Sequence, residues 1–319
     1  MTTVPVLLTG VPRSGTSWVG RILGSTPGAA YLNEPDNHGH NAFALKAKLG
    51  LPGRFYTELS GDVAAPLYAR LWADALGQRG VRDSATERIR RDVAARLLGR
   101  ASYDDIRRSF EVGRAVTSGL RSAARLAVPE RPPDGSRLVV KTVHAQLALE
   151  WIAARFPVKV AVVMREPLNV LASWKEMGWL DSRAGVLAEV GPDTVSRLEA
   201  RFTGSGGGTG NVEQAARLIG LLHSALVGAA RRHPEWLVLS HEALCVRPHE
   251  LFREAAARLG LDWGATVEEL LDELNRPGTG YETARVASDL ADSWRSRLAP
   301  EELDAAQSVF ERFVDLGAT

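Results

Sequence analysis

The sequence VPVLLTGVPRSGTSW spans Val4–Trp18 and carries more structural information than any other part of the chain. An apolar run reaches Gly10, a second glycine follows at Gly15, and hydroxyl side chains then open an amphipathic segment. This order is typical of a buried strand, a phosphate-binding loop and a helix whose first N–H groups face an anion. The stretch therefore predicts an α/β protein with an anion site at the end of its first strand.

The loop departs in one respect from the pattern G-x-x-x-x-G-K-[ST] that binds nucleoside triphosphates. Gly10 and Gly15 have the required spacing. Thr16, however, stands in place of the lysine that reaches the β- and γ-phosphates, and Arg13 lies inside the loop. The loop therefore predicts a site for a phosphate-like group other than the end of a triphosphate.

The composition is that of an ordinary globular protein, with 45% hydrophobic and 24% charged residues. A net charge of +1 gives no reason to expect a nucleic acid or a membrane surface as partner. The single cysteine, Cys245, excludes an internal disulfide and a multi-cysteine metal site, and is consistent with a cytoplasmic protein. No apolar run is long enough for a transmembrane segment, and the N-terminal run has no basic leader.

Apolar, β-branched runs alternate along the chain with segments of helical periodicity. The predicted strands are Val4–Thr9, Ala29–Leu32, Leu138–Lys141, Val158–Met164 and Trp236–Ser240. The predicted helices are Thr16–Leu23, Ala145–Phe156, Pro167–Trp174 and Val212–Arg232. This alternation predicts a single α/β domain, residues 1–319, with an open parallel β-sheet flanked by helices.

Residues from about Phe43 to Arg125 contain no clear strand and are predicted to form a helical insertion or cap. We expect this insertion, together with the glycine-rich loop Thr203–Gly210, to shape a substrate site. Ligands of open parallel sheets bind beyond the carboxyl ends of the strands. The segments expected to share that edge are Gly10–Ser17, Lys141–His144 and Arg165–Glu166.

A second basic group lies at the end of the run Val158–Met164. The next residue is Arg165, where an NTPase would use an aspartate to help hold Mg²⁺. An arginine there opposes a metal ion and favours another anion, and Ser173 lies two helical turns further on. Two basic, hydroxyl-lined strand ends predict a ligand with two phosphate-like groups.

Together, the two stretches resemble the binding motifs of sulfotransferases that use 3′-phosphoadenosine 5′-phosphosulfate (PAPS). PRSGTSW, Pro12–Trp18, resembles their 5′-phosphosulfate loop, and REPLNVLASW, Arg165–Trp174, resembles their 3′-phosphate motif R-x-P-x-x-V-x-x-S-W. Ser240–Leu261 resembles the segment that follows a later strand of the family. The resemblance implies a P-loop-like fold, PAPS as cofactor, adenosine 3′,5′-bisphosphate (PAP) as product, and no metal.

The resemblance also implies roles for the residues at matching positions. Those expected to hold the 5′-phosphosulfate are Arg13, Ser14, Gly15, Thr16 and Ser17. Arg13 is expected to contact the bridging oxygen or the sulfuryl group, and Trp18 to stack on the adenine. Arg165 and Ser173 are expected to bind the 3′-phosphate, with Arg285 as a late basic contact.

Two residues are candidates for the general base that assists the acceptor. Glu34, in NEPDN, lies about as far from the first loop as the base glutamate of several family branches, and we expect it to take the proton. His144, in KTVH, is the alternative, although cytosolic relatives have K-x-H, one residue shorter. Lys141 is expected to reach the sulfuryl oxygens or the leaving group, with His38 and His40 at most lining the site.

The sequence thus predicts in-line transfer of a sulfuryl group to a hydroxyl or amine of a small molecule, without a metal. The alanine- and arginine-rich composition suggests bacterial secondary metabolism, with a natural product or glycolipid as acceptor. Two alternatives stay open. One is a P-loop nucleotide kinase or NTPase, and the other is a non-catalytic nucleotide-binding protein whose helical block binds a partner.

Overall fold

The computed structural model describes residues 4–38, 41–53, 55–77, 137–182, 190, 192–202, 210–275 and 292–313. Its strands are β1 (Val6–Gly10), β2 (Ala29–Asn33), β3 (Arg137–Thr142), β4 (Lys159–Met164) and β5 (Leu237–Ser240). They form one sheet in the order β2-β3-β1-β4-β5, and every pairing in it is parallel. The predicted open parallel sheet is confirmed, and each predicted strand lies within two residues of its observed position.

Helices flank this sheet. In chain order they are α1 (Thr16–Gly24), α2 (Ala42–Lys48), α3 (Pro66–Ala75), α4 (Leu149–Arg155), α5 (Pro167–Glu176), α6 (Trp179–Ser182), α7 (Pro192–Phe202), α8 (Asn211–Arg232), α9 (His241–Val246), α10 (Pro248–Leu259), α11 (Ala265–Leu274), α12 (Trp294–Arg297) and α13 (Pro300–Phe310). Several of them begin at a proline, whose fixed φ suits the first helical turn and whose missing N–H has no helical partner there.

The helix predicted at Ala145–Phe156 begins instead with a 3₁₀ turn at Gln146–Ala148. Helices α2 and α3 belong to the predicted insertion, whose residues 78–125 lie outside the described part of the chain. Most of the predicted glycine-rich loop, residues 203–209, also lies outside it. No helix in the described ranges has the length and apolarity needed to cross a bilayer.

The strands are apolar on both faces because hydrophobic clusters cover the sheet on both sides. Along β1, Leu7 belongs to one cluster, while Val6 and Leu8 belong to the other. Along β4, Val162 and Ala161 divide in the same way. Successive side chains of a strand point to opposite faces, so a strand covered on both sides needs a continuous apolar run. Full burial of each such valine or leucine stabilises the fold by about 2 kcal/mol.

The register brings the carboxyl ends of four strands to one edge. Gly10 of β1 pairs with Val163 of β4, and Thr9 pairs with Thr142 of β3. On the other side, Asn33 of β2 pairs with Lys141. The loops that follow these strands therefore start next to one another, as the sequence predicts.

Candidate functional site

The loop between β1 and α1 has left-handed backbone at two positions. Arg13 has a φ of 73° and Gly15 a φ of 91°. A positive φ is unusual for a residue such as arginine, and strained backbone positions of this kind cluster at functional sites. Gly15 is the N-cap of α1, and no side chain of the described residues makes a capping hydrogen bond to this helix. Within that part of the chain, the first N–H groups of α1 therefore have no side-chain partner.

Helix α5 and Arg165, which lies between β4 and α5, are joined to this loop by three hydrogen bonds. Trp174 Nε1 donates to Pro12 O at 2.9 Å, and Arg165 Nη1 donates to Arg13 O at 2.8 Å. Arg13 Nε donates in turn to Ser173 Oγ at 3.0 Å. The two motifs, which are far apart in the sequence, thus meet at Arg13, which is hydrogen-bonded to both Arg165 and Ser173.

Several buried polar atoms around this junction have no hydrogen-bond partner in the described part of the chain. They are Thr9 Oγ1, Ser14 Oγ and Arg165 Nε. Burying a polar group without a partner is costly, and most such groups in proteins are paired. Two hydroxyls and a guanidinium N–H at the ends of the neighbouring strands β1 and β4 are the donors that an anionic group requires.

Charged groups of both signs surround Arg165. Burial lowers the pKa of Arg165 to about 10; the negative charge of Glu242 opposes this shift, and the positive charges of Arg297 and Arg13 add to it. Glu242 accepts hydrogen bonds from the backbone N–H of Glu166 and from Nδ2 of Asn169 in α5.

Sequence reasoning missed Arg297, which no motif marks. Arg285, the late contact it named, lies outside the described residues.

Trp18 and His241 form one wall beside the loop. The half-buried Trp18 ring meets Phe252 edge-on at a centroid distance of 4.9 Å and His241 at 6.0 Å. A Cβ on Gly15 would lie 2.3 Å from Cδ2 of His241, so only glycine leaves room for this imidazole. Burial, together with the positive charge of Arg165, holds the pKa of His241 well below its ordinary value. Thr16 is buried and Ser17 is exposed.

A second group of candidate residues meets at the ends of β2 and β3. Lys141 Nζ donates to Glu34 Oε1, and His144 Nε2 lies 3.6 Å from Glu34 Oε2. Asn37 Nδ2 also donates to Oε2, at 2.7 Å. Burial by itself raises the pKa of Glu34, but the hydrogen bond with His144 and the charge of Lys141 outweigh it. The pKa of this carboxyl is therefore held far below its ordinary value.

The extra residue of the K-x-x-H spacing does not separate Lys141 from His144. The backbone N–H of His144 donates to Thr142 Oγ1 at 3.0 Å, which turns the chain directly after β3. Both side chains therefore reach Glu34. His144 Nδ1 is buried without a hydrogen-bond partner among the described residues, and the ring lies 5.7 Å from the ring of Phe55.

Gln146 links the two groups. Its Nε2 donates to Gly10 O at 2.8 Å and to Val143 O at 2.7 Å, which joins the end of β1 to the turn after β3. No sequence pattern marked Gln146. His38 is buried with its ring 6.5 Å from that of His144, whereas His40 lies outside the described residues. The described ranges hold no group of three or more His, Cys, Asp or Glu side chains placed to bind a metal.

No family model and no curated protein sequence matches the chain. Solved structures are similar to it over most of its length. The sulfotransferase domain of the curacin biosynthetic pathway is 12% identical, with 96% of this chain and 97% of that chain covered and a TM-score of 0.45. The sulfotransferase domain of the Synechococcus PCC 7002 olefin synthase is 15% identical, with coverages of 96% and 95% and a TM-score of 0.37. Mouse sulfotransferase SULT7A1, complexed with PAP, is 10% identical, with coverages of 97% and 84% and a TM-score of 0.40.

Proposed function

We propose that this protein is a sulfotransferase that transfers the sulfuryl group of PAPS to a hydroxyl or amine of a small molecule. The observation that carries the proposal is the junction of the PRSGTSW loop with α5, where buried donors meet the side chains of Arg13, Arg165 and Ser173. Two basic, hydroxyl-lined strand ends in one site suit a nucleotide with a phosphosulfate on one side and a 3′-phosphate on the other.

The residues of this junction fit such a nucleotide. Ser14, Thr16, Ser17 and the first N–H groups of α1 would hold the 5′-phosphosulfate, and Trp18 would offer a ring to the adenine. Arg165 and Ser173 would bind the 3′-phosphate. When bound, PAPS supplies the sulfuryl group, and PAP is the other product. Arg13, which donates to Ser173, would bring its positive charge between the two ends of the nucleotide.

We infer that charge stabilisation in this site comes from side chains and N–H dipoles. A sulfuryl group carries less negative charge than a terminal phosphoryl group, so Arg13 and Lys141 would suffice to neutralise the charge that develops in transfer. Arg165 occupies the strand end where a magnesium-binding aspartate stands in NTPases. Catalysis would then consist of in-line positioning and electrostatic stabilisation.

The contacts favour His144 over Glu34 as the general base, which differs from the expectation from the sequence. Lys141 and Asn37 donate to the Glu34 carboxylate, which makes it a weak base, while His144 Nε2 lies 3.6 Å from it and His144 Nδ1 has no hydrogen-bond partner in the described ranges. We propose that His144 Nδ1 takes the proton from the acceptor. Glu34 would accept the Nε2–H of His144 and so fix its tautomer. Glu34 stays the alternative base.

The two other classes are less well supported. A nucleotide kinase or NTPase lacks support at Thr16, which replaces the triphosphate-binding lysine, and at Arg165. A non-catalytic nucleotide-binding protein would give no reason for a buried carboxylate, ammonium and imidazole to meet at the sheet edge beside the loop.

Product analysis tests the proposed function directly. The protein would be incubated with PAPS and a panel of phenols, alcohols and amines, and PAP and sulfated products would be measured by chromatography and mass spectrometry. We expect PAP and one sulfated product in equal amounts, with or without a metal chelator. Phosphorylated products from ATP–Mg²⁺, with no sulfated product from PAPS, would contradict the proposal.

A further inference from the structure

A second buried polar cluster is connected to the Glu34–Lys141–His144 cluster through Thr142. Its centre is Asp36, which is fully buried and lies two residues beyond Glu34. Oδ1 of Asp36 accepts a hydrogen bond from Thr142 Oγ1 at 2.6 Å. Its Oδ2 accepts one from the Tyr68 hydroxyl at 3.4 Å and lies 3.6 Å from Lys48 Nζ. The carboxylate thus joins the end of β3 to helices α2 and α3.

Stability does not explain this arrangement. The side chains of Asp36 and Lys48 are 0% and 3% exposed, and a buried ion pair is rarely more stabilising than well-packed apolar side chains. What such a pair can provide is a fixed arrangement of the elements that it joins. Burial lowers the pKa of Lys48, and the charges of Asp36 and Glu34 oppose that shift. Lys48 therefore also interacts electrostatically with Glu34.

Thr142 relays this arrangement to His144. The threonine hydroxyl has a single hydrogen, which it donates to Asp36, and its oxygen accepts the backbone N–H of His144 at 3.0 Å. Asp36 therefore determines which way the hydroxyl points and holds the turn that carries the imidazole.

The Glu34 side of the cluster is fixed by the same short segment. Glu34 has a φ of 49°, a left-handed conformation that is uncommon for a glutamate. Its N–H donates to Lys141 O at 2.7 Å, and its carbonyl accepts from Asn37 N at 3.0 Å. Asp36 lies inside this turn, so its bonds to β3, α2 and α3 hold the strained conformation in place.

We propose that Asp36 is a positioning residue for the Glu34–Lys141–His144 cluster. It fixes the backbone at His144 through Thr142, and it ties the cluster to the first helices of the insertion through Lys48 and Tyr68. This inference rests on the proposed function, because that function assigns proton transfer to the cluster. It adds that the placement of α2 and α3 and the geometry of the proton transfer are coupled.

The sharpest test uses Thr142, because one substitution there removes only the hydroxyl and another keeps it. Thr142→Val removes the hydroxyl and keeps the shape, whereas Thr142→Ser keeps the hydroxyl. We expect Thr142→Val to lower kcat about tenfold with PAP affinity unchanged, since small misplacements of a catalytic group have effects of this size. Thr142→Ser should retain nearly all activity, and Asp36→Asn should resemble Thr142→Val.

Thr26 provides a matched control for loss of stability. It is also buried, and its Oγ1 donates to Leu23 O at 2.8 Å at the far end of α1. Thr26→Val should lower the melting temperature as Thr142→Val does and leave kcat unchanged. Equal loss of kcat in both valine variants, or no loss in Thr142→Val, would overturn the proposal.

A second readout does not depend on sulfuryl transfer. The ¹⁵N chemical shifts of the His144 ring report its tautomer, and they can be assigned by comparison with His144→Gln. We expect one tautomer, protonated at Nε2, in the wild-type protein and in Thr142→Ser, and a mixture in Thr142→Val and Asp36→Asn. An unchanged tautomer in the last two variants would overturn the inference, whereas failure of the wild type to use PAPS would overturn the proposed function alone.

Discussion

The β1–β4 side of the site and the β2–β3 side both consist of charged and hydroxyl side chains at strand ends, but they satisfy their charges differently. On the β1–β4 side, Arg13 and Arg165 lie close together, and buried donors of Ser14 and Arg165 have no partner among the described residues. On the β2–β3 side, Glu34 is surrounded by donors, and Asp36 faces Thr142, Tyr68 and Lys48.

This difference indicates what each side is built for. Two neighbouring guanidinium groups, beside buried donors that lack a partner among the described residues, are suited to an anion that arrives from solution. A carboxylate held by an ammonium and an amide is suited to keeping a neighbouring imidazole in one orientation. The β1–β4 side is therefore expected to control nucleotide affinity, and the β2–β3 side turnover.

The largest effect that this comparison predicts is on nucleotide affinity. We expect Arg165→Ala to weaken PAP binding by about 10²–10³-fold, because it removes the buried charge that we propose pairs with the 3′-phosphate. Calorimetry with PAP and with adenosine 5′-monophosphate, which lacks that phosphate, measures it. Equal losses for the two ligands would contradict the role assigned to Arg165. Arg297→Ala is a matched control that removes a nearby charge and keeps the bond between Arg165 and the loop.

On the β2–β3 side, the expected effect is on kcat alone. His144→Gln and Glu34→Gln should each lower kcat about 10²-fold, the usual scale for loss of a general base or its partner, and leave PAP affinity unchanged. In the pH profile of kcat, His144→Gln should abolish the limb that reports the base. Retained activity in His144→Gln, with loss in Glu34→Gln, would assign the base to Glu34, as the sequence first suggests.

Substitution of Trp18, on the β1–β4 side, should have a smaller effect on PAP affinity. Trp18→Ala is expected to weaken PAP binding about tenfold, the usual size of one base–aromatic contact, and Trp18→Phe should recover most of it. Fluorescence titration of both variants measures the affinity. Unchanged affinity in Trp18→Ala would mean that the indole packs only against Phe252 and His241.

The smallest predicted effect is on the stability of the folded protein at acid pH. The two sides of the site should contribute to the loss of stability in different pH ranges. The pKa of His241 is below its ordinary value of 6.5 in the folded protein, so the unfolded chain binds the proton first and stability falls as pH drops below 6.5. The pKa of Glu34 is below its ordinary value of 4.5, so its stabilisation is full above pH 4.5 and is lost only below it.

Urea unfolding across this pH range separates the two contributions. His241→Gln should flatten the decline between pH 6.5 and 4.5, whereas Glu34→Gln should leave that part of the curve unchanged and flatten it at lower pH. His223→Gln should also flatten the decline below pH 6.5, because burial lowers the pKa of His223 to about 4, so the effect of His241→Gln is measured in the His223→Gln background as well. A Glu34→Gln effect above pH 4.5 would contradict the division.

The sequence predicted the parts of the fold that follow from local patterns. The apolar run of β4 indicates a buried strand, because a strand covered on both faces needs apolar residues at every position. The glycine loop after β1 indicates a tight turn before a helix, because glycine adopts the backbone conformations that such a turn requires. The pairing of Arg165 with the first loop was also predictable, since parallel strands end at a common edge.

The parts that could not be predicted depend on how distant segments pack. Asp36 and Lys48 meet only because α2 docks under the turn after β2, and no periodicity marks either residue. Gln146 joins the end of β1 to the turn after β3 by donating to Gly10 O, and the register of β1 and β3 brings these two segments together. The 3₁₀ turn at Gln146–Ala148 replaces the predicted start of a helix at the point where Gln146 bonds back to Val143 O.

We propose that the junction of the PRSGTSW loop with α5 holds a nucleotide with two anionic ends and requires no metal. Calorimetry of the wild-type protein with PAP in the presence of a metal chelator, and with ATP–Mg²⁺ in a parallel titration, tests this proposal. We expect PAP to bind at least about 10²-fold more tightly than ATP–Mg²⁺, because both strand ends then contact a phosphate. Tighter binding of ATP–Mg²⁺, or no binding of PAP, would contradict it.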